Sequence, residues 1–145
     1  MENFTMPVQV RWSDLDPNFH LRHSIYYDWG AMCRVDFLNK MGLTWKKMLQ
    51  LQIGPIIFRE ECIFRKEIRP TDIVTIDLKL IKAKRDFSRF TIQHEIKKEP
   101  DITSAILTVD IAWLNGATRK LAVLPEEEIK ILAASPVVEN FQWAD

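Results

Sequence analysis

The stretch Ser24-Ile25-Tyr26-Tyr27-Asp28-Trp29-Gly30-Ala31-Met32-Cys33-Arg34-Val35-Asp36-Phe37-Leu38-Asn39-Lys40-Met41-Gly42 decides the architecture. Set out at about 100° per residue, Tyr26, Ala31, Cys33, Val35, Phe37, Leu38 and Met41 fill a wide apolar arc, and Asp28, Asp36, Asn39 and Lys40 occupy most of the remainder. The spacing predicts one long helix from Ser24 to about Met41. Ser24 supplies an N-cap, Asp28 sits near the positive end of the helix, and Gly42 is the stop. An arc this broad suits a helix wrapped by other structure. Arg34 lies inside it, where a charge needs a partner.

Beyond residue 55 the period changes from 3.6 to 2. In 56–68, Ile56, Phe58, Cys62, Phe64 and Ile68 alternate with Arg59, Glu61, Arg65 and Glu67; in 73–82, Val74, Ile76, Leu78 and Leu80 alternate with Thr75, Asp77 and Lys79. Arg85-Asp86 turns the chain into 87–97, and Lys97 to Asp101, with Pro100, turns it into 102–114, apolar on much of both faces. Asn115-Gly116 ends that strand, and Pro125 followed by Glu126, Glu127 and Glu128 starts a short C-terminal helix. With a short strand at 6–12, the order is β, long α, four strands: an α+β domain with a five- or six-stranded antiparallel sheet on the helix. No repeat or linker divides 1–145, so the reading is one domain, with a core at about 6–132 and a tail at 133–145.

Composition narrows the function. The 145 residues are 47% hydrophobic and 28% charged, with 20 basic against 20 acidic side chains. A neutral chain gives no electrostatic reason to expect nucleic acid as a partner. No run approaches the roughly 20 apolar residues of a membrane span, and MENFTMPVQV does not read as a secretory signal, so a cytoplasmic protein is expected. Cys33 and Cys62 lack CxxC spacing and are expected to be free thiols. Five Trp and eight Phe strain the interior of so small a domain, and part of that surface is expected to face another subunit.

The densest polar cluster lies between the first strand and the helix, Arg11-Trp12-Ser13-Asp14-Leu15-Asp16-Pro17-Asn18-Phe19-His20-Leu21-Arg22-His23-Ser24. It delivers two carboxylates and two imidazoles to a helix N-terminus, whose unpaired N–H groups can polarise a carbonyl. Acyl transfer needs those parts: a carboxylate as nucleophile or as base for water, an imidazole to move protons, and a helix end for the oxyanion. The same Asp and Asn residues also read as ordinary loop formers. A metal held by His20, His23 and an Asp is a third possibility, disfavoured because His94 is remote and no HxxxH spacing occurs. No GxSxG elbow supports a serine nucleophile. Elsewhere, Glu60 interrupts an apolar face and is expected to pair with Arg34 or to be turned outward by a bulge. His94 reads as a hydrogen-bonded core residue. Lys79, Lys82, Lys84, Arg85 and Arg89 gather around one hairpin, a solvated face on which a phosphate group could also sit.

Asp14-Leu15-Asp16, His20, His23, Tyr26, Arg34 and Gly42, with Ile68-Arg69-Pro70-Thr71-Asp72 and Leu124-Pro125 further on, resemble in order and spacing the hotdog-fold acyl-CoA thioesterases, nearest to the 4-hydroxybenzoyl-CoA thioesterase and YbgC-like group. The resemblance spans about residues 8 to 132. It implies a hotdog fold, a helix wrapped by sheet, and hydrolysis of an acyl-CoA or acyl-carrier-protein thioester with no cofactor and no metal. By position, Asp16 matches the catalytic carboxylate and His23 the active-site histidine; the backbone N–H of His23 or Ser24 would polarise the carbonyl. His20 and Tyr26 would line the substrate site, and Asp14 would shape the loop. Phe19 stands where many members have Gly, and Ala31 where many have Glu. Those departures leave two alternatives open, a hotdog protein that binds acyl groups without hydrolysing them and a hotdog enoyl-thioester hydratase or dehydratase. The resemblance also implies a homodimer or homotetramer formed by joining sheets, which the apolar strand 102–114 would suit.

Overall fold

A computed structural model describes residues 2–145. In chain order it contains β1 (Thr5–Val8), a 3-10 turn (Trp12–Asp14), α1 (His23–Lys40), α2 (Trp45–Leu51), β2 (Ile53–Phe64), β3 (Val74–Asp77), β4 (Lys79–Ala83), β5 (Arg89–Lys98), β6 (Ile102–Asn115), α3 (Glu126–Ala133) and β7 (Val137–Trp143). One sheet runs β2-β6-β5; β3 and β4 then lie along the far side of β5, β1 pairs with β3, and β7 with β4. Every pair is antiparallel except β4 with β7. The described residues thus form seven strands and three α-helices, against the five or six strands, one long helix and short C-terminal helix expected. Two features account for the extra strands. Segment 73–82 keeps its predicted alternation, with Val74, Ile76, Leu78 and Leu80 all buried, but divides at Leu78, whose N–H turns to the carbonyl of Phe4 at 3.1 Å. Residues 137–143, read as tail, become β7 because the outer edge of β4 is open to them.

β6 is the floor of the core. Ala105, Leu107, Val109, Ile111 and Trp113 form its buried row, none more than 4% exposed. Both sides of β6 are taken, by β2 and β5, so it is not an edge that could join another subunit. That edge is β2. A bulge between Ile57 and Arg59 shifts its register against β6, and cross-strand partners share a face. Ile57, Glu60, Cys62 and Phe64 therefore lie opposite the buried row, at Ile111, Val109, Leu107 and Ala105. Phe58, expected to face the helix, is half exposed instead, and Glu60 turns inward to Arg34, the first of its two expected readings, rather than outward at the bulge.

α1 crosses this floor with Ile25, Tyr26, Trp29, Gly30, Cys33, Arg34 and Phe37 buried. Ala31, Met32 and Val35 are exposed, so the buried face is narrower than the predicted arc. Gly30 sets the closest approach, because a Cβ there would collide with the Leu107 side chain. One turn on, Arg34 finds the partners its position requires. Its Nη1 donates to His94 Nε2 at 3.0 Å and its Nη2 lies 3.6 Å from Glu60 Oε2. His94 Nδ1–H donates to the Asp77 carbonyl at 2.8 Å, which fixes the neutral tautomer. Burial, and then the adjacent guanidinium, push the His94 pKa down to about 3.

Two local expectations need correction. α1 begins at His23, with Arg22 rather than Ser24 as N-cap residue and no side-chain cap. The Leu21 and Arg22 amides are already committed to Ile68 and Asp14 carbonyls at 2.8 and 2.7 Å, which aims the chain into the helix at His23. α2 was not foreseen; it is a seven-residue helix capped by Thr44 Oγ1, which accepts from the Lys47 amide at 3.2 Å, too short for a helical period to register. Among the described residues no helix is long and apolar enough to cross a membrane.

Candidate active site

The loop ahead of α1 is held by two different uses of aspartate. Asp14 is buried and takes Arg11 N–H, Nε and Nη2 at 2.9 to 3.2 Å; these bonds hold its pKa below the usual carboxylate value. It is a loop former, as expected. Asp16 is only partly buried. Its Oδ1 accepts the amides of Asn18 at 2.8 Å and His20 at 3.1 Å, and the short Leu15–Leu21 bridge closes the turn behind it. These two bonds aim the carboxylate, while Oδ2 accepts no hydrogen bond from the described residues and is available for chemistry. The turn needs a left-handed residue, and Phe19 supplies it with φ 61°. That conformation accounts for glycine being common at this place in the family the sequence resembles; Phe19 adopts it with its ring exposed against Trp12.

A cleft of about 290 Å³ opens at this end of α1, lined by Asp16, His20, Leu21, His23, Tyr26, Phe64, Arg65, Lys66 and Glu67. Four of the five site residues read from the sequence, Asp16, His20, His23 and Tyr26, converge there. Ser24 does not line it; its Oγ accepts from Arg22 Nε at 3.0 Å, and Arg22 Nη1 reaches the Ser13 carbonyl at the same distance. His23 is the first residue of α1, and neither its amide nor that of Ser24 has a partner among the described residues. The cleft therefore combines an aimed carboxylate, two imidazoles and a pair of unfilled N–H donors at a positive helix end. Tyr26 is a wall rather than an acid: burial first of all pushes its phenol up to about 12, and its ring meets Phe64 edge-on at 5.0 Å.

Phe64, Arg65, Lys66 and Glu67 were missed as site residues. Their alternation reads as an ordinary half-buried strand, and only the end of β2 lying over the start of α1 brings them to the cleft. Arg65 and Lys66 add positive charge at its rim. His94, Cys33 and Cys62 lie elsewhere, and the basic hairpin residues are apart from the cleft, with Arg89 over the Phe58 ring at 4.6 Å and Arg85 over Trp143 at 5.0 Å. No three His, Cys, Asp or Glu among the described residues are placed to hold a metal.

Residues 10–135 match the family model described as the thioesterase-like superfamily. The chain belongs to that superfamily. Solved structures share its fold. A Staphylococcus aureus protein solved in complex with CoA superposes with a TM-score of 0.87 at 20% identity, covering 94% of this chain and 88% of its own. The DHNA-CoA thioesterase of the same organism gives 0.82 at 18% identity, over 92% and 90% of the two chains. A curated relative from Aquifex aeolicus (strain VF5), whose name places it among the esterases, is 23% identical over 124 residues, 86% of this chain and 93% of its own. This thioesterase-like chain therefore has the hotdog architecture, with the extra strand β7 along β4 and the cleft where α1 begins.

Proposed function

We propose that this protein hydrolyses an acyl-CoA thioester to the free acid and CoA. The observation that carries the reading is Asp16, with one oxygen pinned by two amides and the other unpartnered, lining a cleft with the unfilled amides of His23 and Ser24. The thioester carbonyl oxygen sits against those amides, which take up the negative charge as the carbonyl carbon becomes tetrahedral. Asp16 either attacks that carbon, giving an anhydride that water then opens, or takes a proton from the attacking water. In both routes the C–S bond breaks and the departing sulfur is protonated, a step for which the His23 imidazole is placed. Tyr26 and Phe64 wall the site, His20 supports the loop through its amide, and Arg65 and Lys66 attract an anionic carrier. No residue in this scheme needs a metal or organic cofactor, and a cytoplasmic setting suits the two free thiols.

The assembly proposed is a homodimer or a pair of dimers. β2 has β6 on one side only, and Ile57, Phe58, Ile63 and Phe64 on it are each about half exposed, an edge that soluble proteins normally cover. A second copy laid along β2 would also complete the Phe64 wall of the cleft.

The test is Asp16→Asn. Asparagine keeps an oxygen for the two loop amides, so folding by circular dichroism is expected to persist while thiol release from an acyl-CoA panel falls by about 1000-fold or more, the scale seen when a reacting group is removed. Wild-type turnover in the variant removes Asp16 from the mechanism. Tight acyl-CoA binding by the wild type without thiol release favours an acyl-binding protein instead.

A further inference from the structure

A second cavity, of about 220 Å³, lies between α1 and the sheet. Its wall is hydrocarbon: Leu38 from α1, Leu78 from the β3–β4 junction, Leu80, Ile92, Trp113 and, from α3, Leu132. The polar residues that reach it are few. Arg34 is engaged by His94 and Glu60, the Trp113 Nε1–H is buried without a hydrogen-bond partner among the described residues, and Ser135 is the only other hydrogen-bonding side chain on the wall. The mouth is formed where Ala31, Val35 and Ile57 are exposed.

Size and chemistry together select an occupant. An apolar protein cavity of about 150 Å³ stays dry and takes a benzene of six carbons, so about 220 Å³ holds roughly nine heavy atoms. A hydroxylated naphthoyl group exceeds that number and would bury hydroxyls for which the wall offers only the Trp113 Nε1–H and the Ser135 side chain, at a cost an alkyl chain does not incur. We infer that the cavity binds an unbranched saturated alkyl tail of about eight or nine carbons. That the tail is the acyl part of the thioester rests on the proposed function; the alkyl-binding site itself does not.

Calorimetric titration of the full chain with n-alkanoic acids of about four to sixteen carbons, and with 1-hydroxy-2-naphthoate, tests this directly. Affinity is expected to peak near eight to ten carbons, with the naphthoate at least tenfold weaker. Ala31→Trp, at an exposed mouth position, is expected to weaken the best acid tenfold or more with unchanged circular dichroism. Leu132→Ala removes three wall carbons and is expected to move the optimum two to three carbons longer. Affinity independent of chain length, preference for the naphthoate, or wild-type binding in folded Ala31→Trp overturns the inference. Length-selective binding in a protein that releases no thiol from any acyl-CoA upholds the cavity and sinks hydrolysis, so the two readings fail separately.

Discussion

Acid should destabilise this fold first through one residue, His94. It is fully buried, accepts from Arg34 and donates to the Asp77 carbonyl, so a proton on Nε2 would set two cations face to face in the core. Its folded-state pKa is depressed to about 3 from an ordinary 6.5. Below 6.5 the unfolded chain takes a proton that the folded chain refuses. The stability contributed by keeping the imidazole neutral is thus complete above pH 6.5 and is lost as pH falls toward 3. The loss is about 1.4 kcal/mol per unit, hence roughly 2.7 kcal/mol by about pH 4.5. His94→Gln retains an acceptor for Arg34 and cannot titrate. Urea unfolding followed by tryptophan fluorescence, at about pH 7.5 and 4.5 and one protein concentration, is expected to show the wild type losing about 2–3 kcal/mol more than the variant across that interval. Parallel losses in the two proteins, within about 1 kcal/mol, would refute the assignment of the acid sensitivity to this imidazole.

Further outcomes follow from the same coordinates. Gly30→Ala should lose about 1–2 kcal/mol in urea unfolding despite better helix propensity, because its Cβ meets the fully buried Leu107 and sits 3.2 Å from Arg34 Nη1; a more stable variant would show that α1 has room to lift. Burial pushes the Cys33 thiol up to about 12 and the Cys62 thiol up to about 11. Near pH 8 only about one thiol in a thousand at Cys62, and about one in ten thousand at Cys33, is thiolate. A chromogenic disulfide should therefore label the native protein slowly and Cys62 first, and a fast reaction of both would contradict the packing. Ile63→Lys on the exposed edge of β2 should convert the proposed dimer to a monomer in light scattering at micromolar concentration, and a wild-type monomer or an unchanged dimer mass in the variant would refute an interface along β2.

The proposed catalytic segment was legible in the chain because its geometry is local. Asp14 and Asp16 fold back on amides two to four residues away, and the start of a helix supplies its own free N–H groups, so residues 14–26 carry most of the site in sequence. The left-handed Phe19 shows the same thing, since the turn demands a conformation whatever side chain is present. Ser24 is the local exception: long-range bonds from Leu21 and Arg22 move the helix start by one residue and give its hydroxyl to Arg22.

Elsewhere the sequence by itself determined the pattern of elements and the tertiary structure decided what each face meets. Alternation in 73–82 predicted its buried row but not the break at Leu78, which exists because β1 brings the Phe4 carbonyl there. In β2 a single extra residue reverses the facing of everything on one side of it, a change that leaves no mark in composition. Glu60 thereby turns in to Arg34, and Phe58 turns out beside Ile63 on an open edge. The short helix α2 carries too few residues to show a helical period, the faces of β7 do not alternate in burial, and only an unfilled edge on β4 gives β7 its place. The alkyl cavity belongs wholly to the tertiary level, because its walls come from all three helices and from the four strands β2, β4, β5 and β6, far apart in the chain, and empty space has no sequence of its own.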